Sequence, residues 1–255
     1  MERTSPLIPI RRLLHAARPP GGGVPLDLAD LAGHGVDAKA ASFYARRGWL
    51  DRVGHGVYAL PGDEVQPLGA AQLLQRQVEG LHIGGKSALA LQGVRHTLAV
   101  RETLVLWADQ RFALPKWFAS RFPSRAVFAA LFDNLDPQLA FRTIATPPGV
   151  RDGLHVSTPE RAMLELLYEV GTRESLDEAR GVFEGLSTLR TEVVGGLLSA
   201  CTSVKAVRLF LAWSRETGLL DVDALRERFA LRVGSESRWV SRMPDGTLLL
   251  LKPYG

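Results

Sequence analysis

Residues Gly80 to Ser87, Gly-Leu-His-Ile-Gly-Gly-Lys-Ser, fit the G-x-x-x-x-G-K-S spacing of a phosphate cradle. In such a cradle backbone N–H groups hold phosphate oxygens, the lysine reaches the β and γ phosphates, and the serine hydroxyl sits on magnesium. The chemistry requires a buried strand just before the glycines. Here Leu74 to Glu79 is polar and helix-patterned, and Leu104 to Asp109, which resembles a magnesium-side strand, comes early in the chain. A glycine-rich helix start accounts for the same letters, with a nucleotide-binding enzyme using Gly80–Ser87 as the alternative. Other catalytic spacings are thin. The six histidines (His15, His34, His55, His82, His96, His155) are scattered, without H-E-x-x-H or paired-carboxylate spacing. Pro244-Asp245-Gly246 opens like a nuclease motif but lacks the following Glu-x-Lys, and a turn explains it better. The single cysteine, Cys201, excludes an internal disulfide and cysteine-based zinc clusters. The expectation is a protein that is not an enzyme, with no catalytic residues, metal or cofactor.

A second kind of chemistry, contact with phosphate and base edges, is offered by Asp37 to Leu60. Asp37 is a good N-cap. Ala41, Tyr44, Ala45 and Gly48 fall at i, i+3, i+4 and i+7, one apolar helix face. Lys39, Ser42, Phe43, Arg46 and Arg47 are left on the other side, and Gly48 is placed to end the helix. Two β-prone runs then flank Gly54-His55-Gly56 and read as a hairpin. Basic helix followed by basic-edged hairpin is the order of a recognition helix and wing. In that reading Lys39, Ser42 and Phe43 face base edges, while Arg46, Arg47, Arg52 and His55 lie along phosphates or the minor groove. The competing reading is a solvated basic helix in a protein-binding winged helix.

The elements that must position these residues lie on both sides. Upstream, Ile8 to Arg18 has a helical pattern stopped by Pro19-Pro20-Gly21-Gly22-Gly23. Leu26 to Ala32 has a second one, and His34-Gly35 is the turn into the basic helix. Pro61-Gly62-Asp63 is a plausible boundary, giving a winged helix-turn-helix over residues 1–62 and a second domain over 63–255. Beyond it, helices are expected at Pro67–Glu79 and Ser87–Gly93. Strands are expected at Thr103–Trp107, Ala126–Phe128, Phe141–Ala145 and Gly153–Val156. Thr158-Pro159-Glu160 is a strong helix start, with N-cap, proline at N1 and an acid opposing the dipole. Helices then run over Leu176–Leu186, Glu192–Cys201, Val204–Thr217 and Val222–Phe229, and a closing hairpin spans Arg238 to Lys252. On Val204–Thr217, Lys205 and Arg208 lie off the apolar stripe. They read as a solvated basic face, or as contacts to a partner or a second basic patch for DNA. The tryptophans Trp107, Trp117, Trp213 and Trp239 read as packing residues.

Composition sets the outer limits. With 46% hydrophobic and 23% charged residues in 255, the chain is an ordinary globular one. It has no apolar run of membrane-helix length, and its first ten residues have no signal-peptide core, which points to a cytoplasmic protein without a membrane partner. The net charge of +4 is uneven. Residues 1–62 hold 8 Lys+Arg against 5 Asp+Glu, a balance of +3; residues 63–255 hold 23 against 22, a balance of +1. A cationic bias on the segment expected to meet DNA is what phosphate contact requires.

Four stretches carry a family resemblance: Val53–Gly62 (VGHGVYALPG), His82–His96 (HIGGKSALALQGVRH), His155–Leu167 (HVSTPERAMLELL) and Ser203–Trp213 (SVKAVRLFLAW). In order and spacing, over roughly residues 25 to 252, the chain resembles the AbiEi-type antitoxins of abortive-infection and type IV toxin–antitoxin systems. The resemblance implies an α+β chain: an N-terminal winged helix-turn-helix, then a mixed α/β antitoxin domain with a small sheet and C-terminal helices. It implies a DNA-binding autorepressor acting on inverted repeats in its own promoter, as a dimer or cooperatively. It also implies a nucleotidyltransferase-like toxin, encoded alongside, as partner. A DNA-binding regulator without a toxin, its second domain sensing a ligand, is the alternative.

Overall fold

The computed structural model describes residues 23–96, 102–234, 239–242 and 248–251. The helix expected over Ile8–Arg18 lies outside the described residues. By its internal contacts the chain divides into two compact units. The first comprises residues 1–79, 112–124 and 151–154, and the second the remainder.

The first unit begins with β1 (Leu26–Asp27), α1 (Leu28–Gly33) and α2 (Ala38–Arg46), followed by the hairpin β2 (Asp51–Gly54) and β3 (Val57–Ala59). Leu26-Asp27, expected as the start of a helix, is instead a short strand paired antiparallel with β3, in register Leu26↔Tyr58. The helix starts two residues later because Asp27 caps it. Asp27 Oδ1 accepts the Asp30 N–H at 2.9 Å, and Asp30 returns the bond to the Asp27 N–H at 3.0 Å. The sheet order is β1-β3-β2, with a bulge between Arg52 and Gly54. Leu31, Val36, Ala41, Tyr44, Leu50, Tyr58 and Leu60 form the core. This is the helix-turn-helix pair and wing of a winged helix. The unit also contains α3 (Pro67–Gln77) and α5 (Lys116–Ala119). Arg76 of α3 forms a bidentate pair with Asp30 at 2.7 and 2.8 Å.

The second unit is built on a five-stranded sheet of order β6-β5-β4-β8-β7. Its strands are β4 (His82–Ile83), β5 (Leu104–Ala108), β6 (Ser124–Phe128), β7 (Ile144–Ala145) and β8 (Val156–Ser157). The central pair β4–β8 is parallel and its flanking pairs β4–β5 and β7–β8 are antiparallel. Helices α4 (Gly85–Leu91), α6 (Pro137–Arg142), α7 (Pro159–Glu169), α8 (Leu176–Glu184), α9 (Thr191–Ala200), α10 (Val204–Thr217) and α11 (Val222–Arg228) complete it. Residues Phe141-Arg142, expected in a strand, end α6. Asp136 caps that helix, accepting from the Gln138 and Leu139 N–H groups at 3.0 Å, and Pro137 stands at N1, so the chain is helical up to Thr143. The closing hairpin is present as β9 (Trp239–Arg242) paired antiparallel with β10 (Leu248–Leu251).

Helix α7 is the axis of this unit and is buried almost throughout, charged residues included. A buried charge persists only with partners, and each has them. Glu160 meets Arg190 at 2.8 Å, and Glu169 pairs with Arg125. Glu165, fully buried, accepts from His82 Nε2 (3.0 Å), Ser157 Oγ (2.9 Å), Arg161 Nε (2.9 Å) and the Gly85 N–H (2.9 Å). Burial works to raise the Glu165 carboxyl, but the His82 charge and hydrogen bond, then Arg161 and the Gly85 amide, hold it below the usual carboxylate range. Gly84 must be glycine for this: a Cβ there would collide with the Glu165 carboxylate and the Trp107 ring.

Candidate nucleic-acid interface

Helix α2 is set by its ends. Asp37 Oδ1 accepts the Ala40 N–H at 2.7 Å, and Gly48 follows the Arg47 C-cap at φ +70°. Ala41 and Tyr44 are buried against the core, with the Tyr44 ring 5.6 Å from Trp49. Burial, and then the Asp37 charge, push the Tyr44 hydroxyl above its usual pKa. This apolar anchoring fixes which side of the helix faces out.

Lys39, Phe43, Arg46 and Arg47 are exposed on α2, and Ser42 is half-buried. Arg47 stacks over the Phe43 ring at 5.4 Å, which pre-orders both side chains. On the wing, Arg52 and His55 are exposed. Arg52 turns back to its own hairpin, with Nε donating to the Gly54 carbonyl at 3.4 Å. Lys39, Arg46 and Arg52 have no carboxylate partner among the described residues. In the second unit, by contrast, Lys86, Arg95, Arg125, Arg161, Arg180 and Arg190 are each in an ion pair. Uncompensated cations on α2 and the wing form a surface suited to an anionic partner.

Lys205 and Arg208 do not form an exposed basic patch. Lys205 Nζ donates to the Tyr168 and Val170 carbonyls at 2.7 and 2.6 Å, closing the C-terminal end of α7. Burial lowers its pKa, with Glu169 pulling the other way. Arg208 is only 2% exposed, and its Nε donates to the Val233 carbonyl at 2.7 Å. Their place off the apolar stripe reflects carbonyls to be satisfied inside.

The Gly80–Ser87 spacing is a strand and helix start. β4 lies inside it, Lys86 pairs with Glu178 at 2.8 Å, and the Ser87 hydroxyl accepts the Val105 N–H and donates to the Thr103 carbonyl. The N–H group a phosphate would use, that of Gly85, is held by Glu165.

Sequence reasoning missed the segment backing the wing. Trp117 of α5 lies against Gly54, sixty-odd residues upstream, where a Cβ would come within 2.6 Å of its ring. Gly54 alone marked that contact locally, and its reading as a turn residue hid it.

Comparison with known proteins agrees with this architecture. Over 92% of its length the chain superimposes on 88% of a solved chain, the RV2827C protein from Mycobacterium tuberculosis, with a TM-score of 0.57 and 19% identity. That likeness is one of fold. No curated protein matches the chain. Residues 10–100 match the N-terminal domain family of AbiEi antitoxin transcriptional regulators, and residues 101–249 match the family described as transcriptional regulator, AbiEi antitoxin, type IV toxin–antitoxin system. With both matches spanning nearly its whole length, the chain belongs to the AbiEi antitoxin family of transcriptional regulators.

Proposed function

We propose that this protein is a DNA-binding autorepressor and antitoxin. In this reading the winged helix within residues 1–62 binds inverted repeats in the protein's own promoter as a dimer or cooperatively, and residues 63–255 carry the antitoxin role. α2 lies in the major groove with Lys39, Ser42 and Phe43 toward base edges. Arg46, Arg47, Arg52 and His55 meet phosphates. The single observation that carries the reading is the set of exposed cations on α2 and wing left without carboxylate partners among the described residues. The family supports the second role, that of an antitoxin; in this reading the toxin it opposes is nucleotidyltransferase-like and encoded alongside. No described helix is long and apolar enough to cross a membrane, and the reading places the protein in the cytoplasm with its DNA. The mechanism involves no bond making or breaking by the protein.

Binding is tested by fluorescence titration of a promoter duplex, in which the double variant Arg46→Ala, Arg47→Ala loses affinity for all duplexes. Unchanged affinity at low salt overturns the DNA assignment of α2. The antitoxin role is tested by co-expressing the adjacent gene with the full chain. Toxicity that the chain fails to relieve leaves a regulator without a toxin.

A further inference from the structure

We infer that Lys116, from the middle of the chain, is a further contact to the DNA backbone beside the wing tip; the inference rests on the DNA-binding reading above. The first observation is the docking of α5. Gly54 has no side chain, and Trp117 occupies the space a Cβ would need, lying flush on β2. Trp117 also stacks edge-on against Phe118, which is fully buried, so α5 is anchored rather than loosely draped. The segment carrying it, residues 112–124, belongs to the same compact unit as the wing.

The second observation is the surface this docking creates. A groove of about 500 Å³ runs beside the hairpin tip, lined by His55, Gly56, Val57, Gln77, Lys116 and Trp117 among others. Among the described residues no acidic side chain lines it. Lys116 is exposed and its ammonium has no hydrogen-bond or ion-pair partner among the described residues, and His55 is exposed at the tip. The Gln77 amide nitrogen donates to Asp27 at 3.2 Å. An unpaired ammonium on a fixed short helix, in a concave surface free of carboxylates and next to a wing, is complementary to a phosphodiester. Such a contact sets register on the duplex and carries no sequence information.

The test uses the full chain with Lys116→Ala, Lys116→Glu and Lys116→Arg, titrated with the promoter duplex and a random-sequence duplex. Lys116→Ala weakens both about equally. It lowers the slope of log affinity against log salt by about 1, so that the loss between 50 and 200 mM salt is about fourfold smaller than for the unaltered chain. Lys116→Glu weakens binding further, Lys116→Arg restores it, and thermal melting is unchanged in all three. If Lys116→Ala and Lys116→Glu bind with unaltered affinity and salt slope while the Arg46→Ala, Arg47→Ala variant loses binding, the inference fails and the DNA reading stands. If both sets bind normally, the DNA reading of this surface fails with it.

Discussion

Glu165 Oε2 accepts the backbone N–H of Gly85 at 2.9 Å. The positive end of α4 is thereby neutralised by the protein's own carboxylate, in the place where a phosphate-binding loop would hold its ligand. Labelled ATP with magnesium is accordingly expected to show no measurable binding to the full chain. Saturable binding lost in Lys86→Ala would restore the nucleotide reading.

Lys205→Met is expected to cost about 1–3 kcal/mol of stability. It leaves the Tyr168 and Val170 carbonyls without their cationic donor at the negative end of a helix dipole. Denaturant unfolding measures this directly. Loss of toxin opposition without loss of stability would instead return Lys205 to a partner surface.

Acid should weaken the fold through Glu160. Burial works to raise its pKa, but the Arg190 guanidinium and backbone N–H prevail and hold it at about 2, below the ordinary 4.5. Because the folded value is the lower one, the stabilisation is complete above about pH 4.5 and is lost as pH falls toward about 2. With the Arg190 side chain 47% exposed, the contribution is on the order of 2 kcal/mol after allowing for solvent screening. Glu165, also held down, adds to the same acid limb. Melting curves at pH 7 and pH 3 for the unaltered chain and Arg190→Ala check it: the variant should lose less on acidification. Equal losses would remove Glu160 as the cause.

Asp37→Ala should cost about 1 kcal/mol, because the side chain accepts the Ala40 N–H in the first turn of α2. DNA affinity should fall with it through fraying of Lys39 and Ser42, and Asp37→Ser should recover most of both. Full DNA affinity in a destabilised Asp37→Ala chain would show that this turn makes no contact.

Local signals carried the winged helix well. Asp37, Gly48 and the Gly54-His55-Gly56 turn each act within a few residues, and each did in the structure what its type dictates. Leu26-Asp27 could not be read as a strand, because its pairing partner Tyr58 lies 32 positions on. Phe141-Arg142 misled because short apolar runs do not distinguish strand from helix end. The His82–Glu165 pair spans 83 residues and unites two stretches that each looked like ordinary element starts. Lys205 and Arg208 show a further limit. Periodicity locates the apolar stripe but not the carbonyls waiting beside it.

The first unit draws on residues 1–79, 112–124 and 151–154. Translation must therefore pass codon 154 before that unit has all its parts, which at roughly 5–20 residues per second takes on the order of ten seconds. A nonsense or frameshift lesion before codon 117 yields a nascent product whose hairpin never receives Trp117. Gene fragments ending at the first hairpin would for the same reason encode an incomplete reader, because the ring that packs on Gly54 is supplied only at position 117.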